Sequence, residues 1–151
     1  MKKGIIGLCI ISMLLNSGYV QNVKADSLNT DGYYTADQNE RAGGLIYQAG
    51  VSARLWYGYF SLSGFTDSTS TMASIGYKDI SIQRSSDKIH WTQEKTIPDI
   101  LNTNSSSNTL TDYLITVSGG YYYRACLNHY ADNGSGTTQT ISNASNAVWI
   151  Y

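Results

Sequence analysis

The sequence predicts an all-β domain behind a cleavable leader, and three observations carry that prediction. From Ala42 onward, apolar residues recur in short runs separated by Gly, Ser, Asn and Asp. No stretch beyond the leader holds a helical period over about ten residues. Tyrosine and threonine, which favour strands, are abundant, with 13 tyrosines in 151 residues.

The leader comes first. Met1-Lys2-Lys3 is a positive start, Gly4 to Leu15 is apolar, and polar residues from Asn16 end in Val23-Lys24-Ala25. Small residues at −3 and −1 suit signal peptidase, so residues 1–25 read as a secretory signal. Its twelve apolar residues are too few to span a hydrocarbon core of about 30 Å. Asp26 to Arg41 is polar and acidic, holds the pair Tyr33-Tyr34, and reads as a loose arm. Residues 42–151 form the domain.

Seven strands are expected in it: Gly44–Ala49, Val51–Gly64, Ser74–Arg84, Ile89–Thr96, Asn108–Val117, Gly120–Tyr130 and Thr137–Tyr151, the last with a break near Ser142–Asn146. Ser85–Lys88 joins the third to the fourth, and Leu101–Ser107 reads as a flexible polar loop. Ser118-Gly119-Gly120 is expected to close a tight hairpin between the fifth and sixth, and Asp132–Gly136 a looser turn into the seventh. The apolar face switches between Ile75/Tyr77 and Ile80/Ile82, which predicts a bulge near Lys78-Asp79. In the sixth strand, Tyr121, Tyr123, Ala125 and Leu127 make the better core face, with Tyr122, Arg124, Cys126 and Asn128 opposite. Seven strands at this spacing match a single immunoglobulin-like antiparallel β-sandwich.

Two segments carry a family likeness. Ile80 to Thr92, in which Arg84-Ser85-Ser86-Asp87 precedes Trp91, resembles a hairpin of fibronectin type III-like modules. Gly120-Tyr-Tyr-Tyr-Arg-Ala-Cys-Leu-Asn128, followed by His129, resembles the next strand of such modules. The layout also resembles small secreted Gram-positive bacterial proteins of unassigned function. The likeness covers roughly Ser74 to Tyr151, although the prolines that link fibronectin-like modules are missing and Pro98 stands alone. It implies a scaffold or binding domain, and fold alone dictates no function.

Charge and cysteine narrow the classes. Lys2, Lys3 and Lys24 leave with the leader, so seven of the 10 basic residues face all 11 acidic ones and the net charge nears −4. Nucleic acid calls for a basic patch, so it is not an expected partner, and by net charge neither are anionic membranes or teichoic acids. Cys9 also leaves. It follows Leu8 inside the apolar run, unlike a lipidated cysteine, and Cys126 then has no intramolecular disulfide partner. The chain shows no wall-sorting motif, which predicts a released protein without a stable membrane anchor.

Catalytic readings are weak in the sequence. Cys126 and His129, three apart on a strand, point to opposite faces, which argues against a nucleophile pair or a zinc site with His90. Asp67, Asp87, Asp99 and Asp132 fit turns better than a glycosidase pair, and Asp132–Gly136 lacks the spacing of a calcium loop. No serine-hydrolase elbow, phosphate loop or dinucleotide fingerprint occurs. The expectation is a non-enzymatic module without cofactor or metal.

Aromatic residues are the strongest remaining feature. Trp56, Phe60, Tyr122 and Tyr130 fall opposite the expected core face and are the candidate ligand-binding residues. Their plainer role is packing under the arm or in place of aliphatics. The expected function is recognition of an extracellular protein or carbohydrate, cell-wall glycan included. A secreted toxin-like or antibacterial effector is the alternative, and a hydrolase with an unrecognised site the weakest third.

Overall fold

The computed structural model describes residues 33–35 and 44–151, so the expected signal, 1–25, and most of the arm lie outside the described residues. Every described element is a strand: β1 (Tyr33–Thr35), β2 (Ile46–Trp56), β3 (Tyr59–Ser85), β4 (Thr92–Ile97), β5 (Ile100–Ile115), β6 (Tyr121–Asp132), β7 (Thr138–Ala144) and β8 (Val148–Ile150). The all-β expectation holds. All pairings are antiparallel and join one sheet, in the order β1-β2-β3-β6-β7, with β4 and β5 on β3 and β8 on β6.

The 27-residue β3 organises the sheet. Its first part runs between β2 and the end of β5, and its last part between β4 and β6. The sheet curls along it until β2 lies against β6, β7 and β8. Inside the curl, Val51, Ala53, Phe60, Leu62, Tyr77, Ile80, Ile82, Ile115, Tyr123, Ala125, Leu127 and Ile150 form one core, and Ile46, Ala49, Met72, Ile75, Ala131 and Ile141 a second. Side-chain amides close the curl. Asn146 accepts from Ala53 N–H at 2.8 Å and donates to Ala53 C=O at 2.9 Å, and Gln139 accepts from Ile46 N–H at 2.7 Å. These contacts supply the backbone partners that the free edge of β2 would otherwise lack.

Several sequence expectations change. Gly44–Ala49 and the strand from Val51 merge into β2, Ser74–Arg84 is the end of the longer β3, and residues 89–91 lie in the turn before β4. Val51–Gly64 is not one strand: Tyr57-Gly58, both at positive φ (47° and 84°), make a two-residue turn of the kind that matches strand twist, and Trp56 pairs with Tyr59. Leu101–Ser107 is strand rather than loop. Its backbone pairs with β3 while its polar side chains stay largely at the surface. Gly76 permits the close approach, for at φ 150° a Cβ there would lie 2.2 Å from Ile100 O. Ser118–Gly120 closes no β5–β6 hairpin, because both strands pair with β3 instead, and Gly120 N–H bonds Ile150 O at 2.8 Å.

Other expectations stand. The register shifts between Lys78 and Ser81, where Asp79 has φ 51°. Residues 145–147 break the last strand into β7 and β8. Asn133 N–H bonds Thr137 O at 3.1 Å across the β6–β7 turn. The expected loose arm is different: within it, Tyr33–Thr35 forms a strand that pairs with Gly50–Gln48 of β2.

Candidate functional site

Strand β6 divides the molecule into an inner and an outer face. Tyr123, Ala125, Leu127, His129 and Ala131 are buried inward, as alternation requires. The even-numbered residues point outward, and the register sets their neighbours: Ser85–Tyr122–Trp149 in one row, Gln83–Arg124 in the next, Ser81–Cys126–Ala144, then Lys78–Asn128–Ser142 and Gly76–Tyr130–Thr140.

One end of this outer face is densely built. Tyr122 meets Trp149 edge-on, with ring centroids 4.8 Å apart. The turn between β3 and β4 folds over the same place. Lys88 sets its ammonium 4.3 Å from the centre of the Tyr122 ring, and Trp91 donates its indole N–H to Lys88 C=O at 3.1 Å. Arg124 lies 4.2 Å from the centre of Trp91, with its Nε donating to Gln83 Oε1 at 2.9 Å. On the flanking inward-side positions, Arg84 covers Tyr121 at 4.8 Å and pairs with Glu94 at 3.2 Å.

The turn is fixed by its own side chains. Asp87 Oδ1 accepts from the N–H groups of Ile89 and His90, both at 2.8 Å, and its Oδ2 lies 2.7 Å from His90 Nδ1. The amide and ring donors of His90, then Ile89 and Ser85, hold the Asp87 carboxyl far below the usual carboxylate range. An anchored Asp87 fixes where Lys88 and Trp91 project.

The other end of the face is charge-balanced. Lys78 lies 3.6 Å from the centre of the Tyr130 ring, while Asp79 accepts from Asn128 at 2.9 Å and Asp132 lies 3.5 Å from the Tyr130 hydroxyl. Burial, then the charge of Asp132, raises the Tyr130 hydroxyl above its ordinary value.

The four expected ligand residues therefore separate. Tyr122 and Tyr130 share the outer face of β6, at opposite ends. Trp56 lies on the β2–β3 hairpin, with Arg54 4.2 Å from its ring centre and Tyr57 edge-on at 4.9 Å. Phe60 is a correction: it is fully buried and packs 6.2 Å from Tyr123. The reason is the Tyr57-Gly58 turn, which resets the alternation, so that Phe60 pairs with Leu55 and shares the face of Val51 and Ala53. Trp91 and Trp149, which stand in the same cluster, carry no signal of it in the sequence. Trp91 sits in a turn, where period-two facing has no meaning, and Trp149 takes its face only from pairing with Tyr122.

Cys126 and His129 do point to opposite faces. Cys126 is buried on the outer side, its Sγ 3.5 Å from Gln83 Oε1. His129 is fully buried inside, its Nδ1 2.7 Å from Thr66 Oγ1 and its ring 5.5 Å from Tyr77. Tyr77 donates to Asn108 C=O at 3.1 Å, and Thr66 to Gly76 C=O at 3.3 Å. His129 Nε2 has no hydrogen-bond partner among the described residues, and desolvation lowers its pKa to about 3. The ring is neutral at every ordinary pH, which suits a core position between strands rather than proton transfer to a ligand.

Among the described residues, no three His, Cys, Asp or Glu side chains gather as a metal would need. Set against protein-family models, curated proteins and solved structures, the chain matches none of them.

Proposed function

We propose that the protein is a secreted, non-catalytic binding module that recognises an extracellular carbohydrate or protein through the outer face of β6. One observation carries this reading. Tyr122 and Trp149 meet on the outer sheet face, and a fixed turn sets Lys88 over Tyr122 and Trp91 against Arg124 beside them. Rings on a rigid strand lose little freedom when a ligand stacks on them, so binding costs less entropy than on a mobile loop. Aromatic residues with polar tips also suit a surface that must stay wet when unbound.

The immunoglobulin-like sandwich and the kinship with small secreted Gram-positive proteins belong with this proposal. The facing of β2 against β6, β7 and β8 supports a sandwich, while the unbroken sheet through β3 departs from two separate sheets. Retention of the purified protein on isolated cell walls and insoluble polysaccharides tests the reading. Retention lost in Trp149→Ala, with an unchanged thermal midpoint, is expected. Retention that is indifferent to both Trp149 and Tyr122 would place binding elsewhere.

The effector alternative draws on a different surface. The β2–β3 hairpin tip exposes Leu55, Trp56, Tyr57 and Tyr59 beside Leu114. Amphipathic rings of this kind suit a lipid–water boundary. Dye release from vesicles, abolished by Tyr57→Ser, is the outcome this alternative requires.

A further inference from the structure

We propose that Lys88 and Arg124, with Trp149, form a subsite for an acidic sugar, so that the ligand of this face is a polyanionic polysaccharide. This rests on the β6 outer face being the binding surface, and adds the chemical class of what it binds.

The starting point is where each cation spends its charge. Among the described residues, Arg54 pairs with Asp112 at 2.6 Å and Arg84 with Glu94 at 3.2 Å. Neither Lys88 nor Arg124 has a carboxylate within ion-pair distance among the described residues. Arg124 commits its Nε to Gln83, a neutral acceptor, and keeps a guanidinium charge on the face. Lys88 is exposed at the turn. The nearest acid in sequence, Asp87, is engaged by His90 and two backbone N–H groups. The acids of the face itself, Asp79 and Asp132, lie at the Lys78 end of β6. Arg124 stands four residues from Asn128, the partner of Asp79, and eight from Asp132, or about 13 and 26 Å along the strand, beyond one Debye length of about 8 Å at physiological salt.

The positive end of the strip is thus local, and a negative net charge does not decide it. A neutral sugar would use the rings and leave both cations unanswered. A sugar bearing a carboxylate uses both features. Trp149, 36% exposed and with no cation over it among the described residues, offers its ring to the C–H face of the sugar, while Arg124 and Lys88 donate to the carboxylate. The cation–π contacts hold both cations near the rings before any ligand arrives. A phosphate-bearing glycan presents the same anionic chemistry, and the experiment separates the two.

The test compares retention of the full protein on polygalacturonate, on its methyl ester, which keeps the backbone and caps the charge, and on a phosphate-linked glycan. Polygalacturonate is expected to bind at least about tenfold better than the ester and to weaken with added salt. Arg124→Gln and Lys88→Gln are each expected to remove about tenfold of that preference. Because Lys88 is exposed, its substitution leaves folding intact, and a circular dichroism spectrum confirms the fold of Arg124→Gln. Preference for the phosphate-linked glycan over polygalacturonate, lost in both variants, supports the anionic subsite and assigns its source. Equal retention on the acid and the ester overturns the subsite while the binding module survives. Retention on none of the three, with firm retention on neutral wall glycan, overturns it too. No retention on any polysaccharide or wall removes the carbohydrate reading as well.

Discussion

The hairpin tip and the outer face of β6 use the same contact to opposite ends. At the tip, Arg54 lies 4.2 Å from the Trp56 ring, and on β6, Arg124 lies 4.2 Å from the Trp91 ring. Five such cation–π pairs fall within residues 44–151, where about one per 70–80 residues is usual. What separates the two regions is the rest of the guanidinium. Arg54 also binds both oxygens of Asp112, at 2.6 and 2.7 Å, and Asp112 accepts from Ser61 at 3.0 Å. Arg54 thereby ties β2, β3 and β5 together and carries no spare charge. Arg124 instead gives its Nε to Gln83, with no carboxylate at ion-pair distance among the described residues. On the proposed reading, a ring beside a cation is a clamp where a carboxylate completes it and a recognition element where none does.

The largest effect expected concerns what lies beneath β6 rather than on it. The pKa of His129 in the fold is about 3, against an ordinary value of 6.5, so the unfolded chain takes up the proton first. Stability is therefore level above pH 6.5 and falls as the pH drops from 6.5 towards 3, by on the order of 5 kcal/mol over the window. Denaturant midpoints taken across that range should show the slope, and His129→Gln should flatten it. A wild-type midpoint that stays level from pH 7 to pH 4 would mean that the buried ring accepts a proton without cost. Asp87 and Asp112, whose pKa values are lowered by their hydrogen bonds, lose their contributions only below the ordinary carboxylate range and do not mimic the upper part of the slope.

Phe60→Ala ranks next and tests the division at the tip itself. Phe60 is buried against Tyr123, four residues beyond the exposed Trp56. Its truncation is expected to cost about 3–5 kcal/mol. Trp56→Ala is expected to cost about 1 kcal/mol, mostly the lost contacts with Arg54 and Tyr57. Comparable losses in the two variants, read from urea midpoints, would erase the distinction between core and tip.

This pair of residues also shows what the sequence could and could not reveal. Alternation alone placed Trp56 and Phe60 on one face, because nothing in Trp-Tyr-Gly-Tyr announces a turn without the usual Asn or Asp before the glycine. The tyrosine at φ 47° is tolerated because the strands on either side fix the register. On β6 the same rule worked, since that strand runs twelve residues without a break, with Tyr123, Ala125 and Leu127 buried as expected and Tyr121 partly so. The bulge at Lys78–Ser81 was legible because it moves an apolar set from one parity to the other. Leu101–Ser107 was not, for strand pairing is a backbone property and a run of Asn, Thr and Ser hides it. Nor was the β6 cluster. Tyr122 was within reach, but Trp91, Lys88 and Trp149 join it only through the β3–β4 turn and the β6–β8 pairing, which are contacts between distant parts of the chain.

The smallest effects sharpen the comparison most. Tyr57, at 85% exposure, touches little besides Trp56, so Tyr57→Ser should shift stability by no more than about 0.5 kcal/mol. Trp91→Ala should cost more, about 1–2 kcal/mol, because it removes the indole bond to Lys88 C=O and the support for Arg124. Its further consequence falls on the ligand side. Without Trp91, Lys88 and Arg124 keep their charges but lose the frame that aims them, so glycan retention should weaken even though neither cation has been touched. If Trp91→Ala unfolds the turn yet leaves retention unchanged, the cations act as free charges in solution, and the fixed geometry of the β6 face has no part in recognition.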